Sequence, residues 1–205
     1  MKDLGMSPWL SIWVKPRKTI RAILSENPNY HLGILSAIYG LHYLFYSSQF
    51  LSLAIVAPAW LITVVSLVFA LPVGYIVFNL TSFFIFLLGK LLGGNGCFKH
   101  IRSAFAWCAV PYAISLILWF IVIGFFGDPV FMLAFPGTTP AHHLLLFQVC
   151  LLLQMGIGLW ALVLLVNALA EVQRYSVWMS LLNLIMASII MGLIFYGVGF
   201  AIERL

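Results

Sequence analysis

Five long apolar runs, at 30–56, 61–88, 104–126, 144–170 and 177–201, alternate with short polar segments along the chain. Each is long enough to cross a hydrocarbon core about 30 Å thick, which takes about 20 residues of α-helix. The pattern predicts an all-α integral membrane protein with five transmembrane helices. A short N-terminal amphipathic helix, lying at the interface, precedes them. On this plan 1–29 is a cytoplasmic amphipathic segment and 30–205 is the five-span membrane domain.

The segment before the first run has a shape of its own. Trp9, Ile12 and Trp13 recur at near-helical spacing until Lys15-Pro16 interrupts them. Pro16 is suited to a first helical turn, where its missing N–H costs nothing. From Arg17 to Leu24 apolar residues fall at i, i+3 and i+4, with basic residues on the other faces. Such a helix is expected to lie in the headgroup plane with Trp9, Trp13, Arg17, Lys18 and Arg21 in contact with lipid headgroups. It serves as a topology anchor or, in a sharper reading, as a docking surface for a partner. Ser25-Glu26-Asn27-Pro28 ends it, because the residue before a proline avoids the α region.

Charge orients this plan. With the N-terminus in the cytoplasm, Lys2, Lys15, Arg17, Lys18, Arg21, Lys90, Lys99, Arg102 and Arg174 all fall inside and only Arg204 outside. That is the asymmetry of the positive-inside rule, and it places the C-terminus outside. Composition agrees: 64% hydrophobic and 7% charged residues, with mean hydropathy +1.12, against about 25% charged in a soluble domain. The net charge of +5 is gathered at membrane ends, so anionic lipid headgroups are the expected partner and nucleic acid is not.

Candidate chemistry lies mostly inside the runs. His42, Tyr43, Tyr46 and Gln49 make one stripe of the first run polar, and Pro72, Asn79, Thr81 and Ser82 fall in the second. Pro72 frees a carbonyl and can kink its helix. Asn167, Glu171 and Arg174 share a helix face at i, i+4 and i+7, with Glu171 placed to pair with Arg174 one turn on. Ionisable groups at membrane depth are functional candidates by default, which makes His42, Asn79, Asn167, Glu171 and Arg174 a candidate intramembrane polar site. The alternative is that these groups join helices by hydrogen bonds.

Gly93, Gly94 and Gly96 mark a tight loop between the second and third runs, and Pro111 a kink near the start of the third. The loop lacks the Walker spacing of a phosphate cradle. Gly192, Gly197 and Gly199 in the fifth run suit close helix packing, within the bundle or between copies. The first run is too long for a cleavable leader. Cys97, Cys108 and Cys150 show no zinc spacing or disulfide framework. His142 and His143 have no evident third ligand, and no nucleophile–base set accompanies His42. No cofactor, metal or catalytic activity is expected.

Three stretches together resemble the Yip domain family of Ypt/Rab-interacting membrane proteins, in particular its bacterial branch. They are 12–23 with Asn27-Pro28; 91–98 continuing through Arg102 to 106–111; and Trp160 followed by 171–178. The resemblance implies five spans and a cytoplasmic N-terminus. The longer N-terminal region and the Asp-Leu-Tyr-Gly-Pro-like motif of eukaryotic members are absent, and Asn79-Leu80-Thr81, a glycosylation-type triplet, lies inside a run. This compact form resembles a bacterial inner-membrane member, for which the resemblance implies a fold but carries over no established biochemical activity. The expected function is non-enzymatic: organising or scaffolding the membrane or partner proteins, with a homo-oligomer or another membrane protein as candidate partner. The alternative is a transporter, channel or lipid-moving protein using the intramembrane polar residues, although no internal repeat is visible.

Overall fold

Two prolines open the first two helices, α1 at Pro8–Ser11 and α2 at Pro16–Glu26. The computed structural model describes residues 7–134 and 141–202, with side-chain surroundings for 7–134 and 143–194. Lys2, Arg204 and the surroundings of His142, Gly197 and Gly199 lie outside those residues. Thr19 Oγ1 lies 2.8 Å from the Lys15 carbonyl and 2.9 Å from Ser11 Oγ, which ties α2 to α1. At the other end Asn27 turns extended before Pro28, and its Oδ1 accepts the Asn29 N–H at 2.9 Å.

Six further α-helices follow: α3 at Leu32–Phe50, α4 at Ala59–Leu91, α5 at Phe98–Trp107, α6 at Tyr112–Phe126, α7 at Ala141–Gln173 and α8 at Val177–Ile202. Among the described residues there is no strand. α4, α7 and α8 are each long and apolar enough to cross a membrane. Of their most apolar stretches only 28, 28 and 22% is buried in the protein. That much exposed apolar surface requires lipid around it.

The third run bends beside Pro111, where a kink was expected, but it is not one helix. Instead of one helix over 104–126, α5 and α6 meet at a 44° bend. The break covers 108–111, where Pro111 supplies no N–H to continue the α5 ladder and becomes the cap of α6. Taken as one bent span, the pair gives a fourth crossing. α3 does not reach the same apolarity in its 19 residues, because His42, Tyr43, Tyr46 and Gln49 dilute it.

The chain forms two compact units. The first comprises residues up to Tyr30, Val77–Cys108 and Val163 onward; the second comprises His31–Ile76 and Ala109–Leu162. In the first, α2 packs on α1 and α5, and Ile12, Ile20, Ile23 and Ile101 are fully enclosed. The apolar face of α2, expected to dip into lipid, is thus turned against protein. In the second, α3 and α4 approach at Gly40 and Gly74. A Cβ on Gly40 would run into the Ala70 carbonyl, and one on Gly74 into the Ser36 carbonyl. This is the small-residue crossing expected of α8, where Gly192 instead has open space at its Cβ. In the same unit Phe45, Trp119 and Phe131 pack together with ring centroids 5.5 to 6.0 Å apart.

Candidate functional site

The C-terminal end of α7 organises the polar side chains of the first unit. Gln173, 1% exposed, accepts the Asn95 N–H through its backbone carbonyl at 3.0 Å. Its Oε1 accepts the Gly96 N–H at 3.1 Å. The glycine loop is shaped around this one amide: a Cβ at Gly89, Gly94 or Gly96 would collide with the Gln173 side chain. Gly93, at φ 82°, lets α4 end in the left-handed turn that only glycine adopts freely, and the Gly94 N–H closes on the Gly89 carbonyl at 2.7 Å.

Asn183 on α8 extends this region. Its Nδ2 donates to the Ile85 carbonyl at 3.1 Å and to Tyr175 Oη at 2.7 Å. Burial raises the Tyr175 phenol above its ordinary range, with the Asn183 hydrogen bond opposing the shift. Arg102 on α5 makes a second bridge, donating to Asn79 Oδ1 at 3.1 Å and to Asn29 Oδ1 at 2.7 Å. Fully buried Trp107 is flanked by Trp9 at 5.5 Å and by Tyr30, stacked at 6.1 Å. Trp9 and Trp13, both expected at the headgroups, are each half-buried, and Trp9 uses part of its surface to meet Trp107.

The basic side of α2 meets α7. Arg21 reaches Glu171 Oε1 with Nη2 at 2.6 Å and Nε at 2.8 Å. One turn earlier on each helix, Arg17 Nε donates to Asn167 Oδ1 at 3.3 Å. Glu171 therefore pairs with Arg21, not with Arg174 as its spacing suggested. The reason is the backbone: α7 stops at Gln173, and Arg174 takes φ 59°, which swings it off the helical face.

Beside this clasp lies a cavity of about 590 Å³ lined by Arg21, Leu24, Ser25, Asn95, Gly96, Cys97, His100, Glu171, Val172 and Arg174. Its one acid already faces Arg21, so Arg174 and His100 leave the lining suited to an anionic group. Lys18 is exposed on α2.

The expected polar site is therefore distributed over separate pairings. Asn167 and Glu171 of α7 both pair with arginines of α2, Asn79 belongs with Arg102, and Arg174 lines the cavity. His42 lies in the second unit, with Nδ1 3.2 Å from Ser115 Oγ and its ring stacked on Tyr112. Gln173, which sequence reasoning passed over, accepts the Asn95 and Gly96 N–H groups and fills the space beside three glycines. The glycines at 89, 94 and 96 were its signal, since three missing Cβ atoms imply one buried neighbour.

Fold and apolar surface together define an all-helical integral membrane protein with a polar clasp at one end of its helices. The family model for the Yip1 domain matches residues 10–199, and the chain belongs to the Yip family. No match to the chain is found among curated proteins or solved structures.

Proposed function

We propose that this chain is a non-enzymatic, bacterial inner-membrane member of the family that organises or scaffolds the bilayer and partner proteins. Its five crossings are α3, α4, the bent α5–α6 pair, α7 and α8, with the N-terminus cytoplasmic and the C-terminus outside. α3 tolerates its polar stripe because α6 and the following turn receive it: Ser115 meets His42, and Gln49 Nε2 donates to the Val130 carbonyl at 3.0 Å.

The observation that carries the reading is the clasp of Arg21 on Glu171 and Arg17 on Asn167. It holds α2 against α7 while leaving Arg174 exposed in the lining of a cavity whose spare charge is positive, with Lys18 exposed elsewhere on α2, in a separate groove with Arg17 and Asn167. That surface suits anionic lipid headgroups. Gly192, with open space at its Cβ, offers α8 a smooth patch for a second copy or another membrane protein. The transport reading draws less support, because the intramembrane polar residues are engaged in separate helix contacts.

Native mass spectrometry of the detergent-solubilised protein tests the lipid contact. Double replacement Lys18→Gln with Arg174→Gln should cut retained phosphatidylglycerol several-fold and leave phosphatidylethanolamine unchanged. Equal retention of phosphatidylglycerol by both proteins would refute it. Proteoliposome flux that vanishes in Glu171→Gln would instead revive transport.

A further inference from the structure

Tyr39, His42, Tyr43 and Tyr46 follow one another at i, i+3, i+4 and i+7, so α3 carries them on one face. With Tyr112 of α6 and Gln154 of α7 they surround a second cavity, of about 270 Å³. The His42 ring lies on Tyr112 with centroids 4.3 Å apart and planes 18° from parallel, and Ser115 holds its Nδ1. Tyr39 packs on Tyr43 at 6.4 Å and on Tyr112 at 5.7 Å. The result is a rigid aromatic wall.

Opposite this wall, Gln154 is 8% exposed, and its Oε1 has no hydrogen-bond partner among the described residues. A buried acceptor left unmatched is costly, and because Gln154 lines the cavity a small rotation of its amide lets a ligand hydroxyl supply the missing bond. No Lys, Arg, Asp or Glu lines the cavity, so a charged headgroup would enter without a counter-charge. Flat aromatic faces suit a flat ring. The volume lies just below the about 300–1,000 Å³ of sites for drug-sized ligands, which fits one ring and not several. Tyr43 and Tyr46 are 37 and 49% exposed, leaving a side open for a tail. Met155 and Leu159 on neighbouring α7 present apolar surface, which favours a lipid-soluble carrier for that ring.

We propose that this cavity binds the ring of a neutral, lipid-soluble phenol of the quinol class, one ring hydroxyl donating to Gln154 Oε1 and the ring lying against the tyrosine wall of α3. The proposal concerns binding alone and is independent of the scaffolding role.

The test uses the full chain in detergent micelles with decylubiquinol kept reduced. Ligand retained by the protein through gel filtration is compared with protein-free micelles. The wild type should retain it saturably, at one per chain, and should bind the dimethyl ether of the same molecule at least about tenfold more weakly, since the ether has no O–H to donate. Gln154→Leu should lose about the same factor for the quinol and nothing for the ether. Gly158 also lines the cavity and has open space at its Cβ, so Gly158→Leu should fill the cavity without a backbone collision and abolish retention. If Gln154→Leu fails to fold, Gly158→Leu and the ether decide the matter. Retention no greater than in protein-free micelles, ether binding as tight as quinol binding, or unchanged binding in Gly158→Leu would each overturn the proposal.

Discussion

The two units of this protein hold their helices together by opposite means. In the first, polar side chains reach between helices: Gln173 to the glycine loop, Asn183 to α4, Arg102 to Asn79 and Asn29, Arg21 to Glu171. In the second, backbones themselves touch at Gly40 and Gly74, and an aromatic cluster packs in the same unit. A polar joint depends on directional bonds that one substitution removes singly. A backbone crossing depends on the absence of atoms, so adding one displaces a whole helix. The second kind is therefore the more brittle, although it contains less chemistry.

The largest expected effect follows from that difference. In Gly74→Val the new Cβ meets the Ser36 carbonyl, which is backbone and has no rotamer by which to yield. Overpacking of this kind costs about 1–3 kcal/mol even where side chains can adjust, and more where they cannot. The variant should lose its cooperative thermal transition in detergent and run as aggregate on gel filtration. Gly192→Val, with open space at the same atom, should melt within a few degrees of the wild type. Equal melting of the two variants would mean that the α3–α4 crossing is looser than its geometry implies.

Next comes Gln173→Leu. It keeps the bulk of the side chain, yet leaves the buried Gly96 N–H without its acceptor, at a cost of about 1–3 kcal/mol. Thermal unfolding should fall by several degrees, and exposed Cys97 should react faster with a maleimide as the loop loosens. Gly94→Ala attacks the same joint from the other side and should reproduce both effects. An unchanged Cys97 rate in both variants would show that the loop is held by something other than this amide.

The contrast between units also explains what was legible in the sequence. All-helical class and membrane character were readable because long apolar runs report themselves without reference to neighbours. α4, α7 and α8 accordingly lie where the runs at 61–88, 144–170 and 177–201 put them, with no end displaced by more than three residues. The third run showed Pro111 as a kink but not an interruption of the helix over 108–111, because 104–110 is apolar right through the point where α5 stops. Hydropathy is blind to a bend that hydrogen bonding decides.

The polar residues were noticed, but their pairings depend on which helices become neighbours, and no spacing along one helix encodes that. Glu171 was assigned to Arg174 because both were in view on one face; Arg21 was 150 residues away. Gln173 was overlooked for a related reason. Flanked by Glu171 and Arg174, it reads as a polar helix end, and only the glycines across from it reveal that it is enclosed.

The smallest effect expected is at the clasp. Arg21 is 71% exposed and Glu171 21%, and ion pairs so open to solvent contribute about 0–1 kcal/mol. Arg21→Glu places two carboxylates together and should lower the thermal midpoint by a degree or two at low salt. The double variant Arg21→Glu with Glu171→Arg should restore most of it, because the pair is re-formed with its ends exchanged. Raising the salt to about 1 M, where charges are screened beyond about 3 Å, should erase the difference between single and double variants. The Gln173→Leu defect, carried by a buried hydrogen bond, should persist at that salt. If the Arg21→Glu defect persists as well, the α2–α7 contact works as a buried joint like the others in its unit, and the basic surface beside it loses its claim to be a separate, lipid-responsive element.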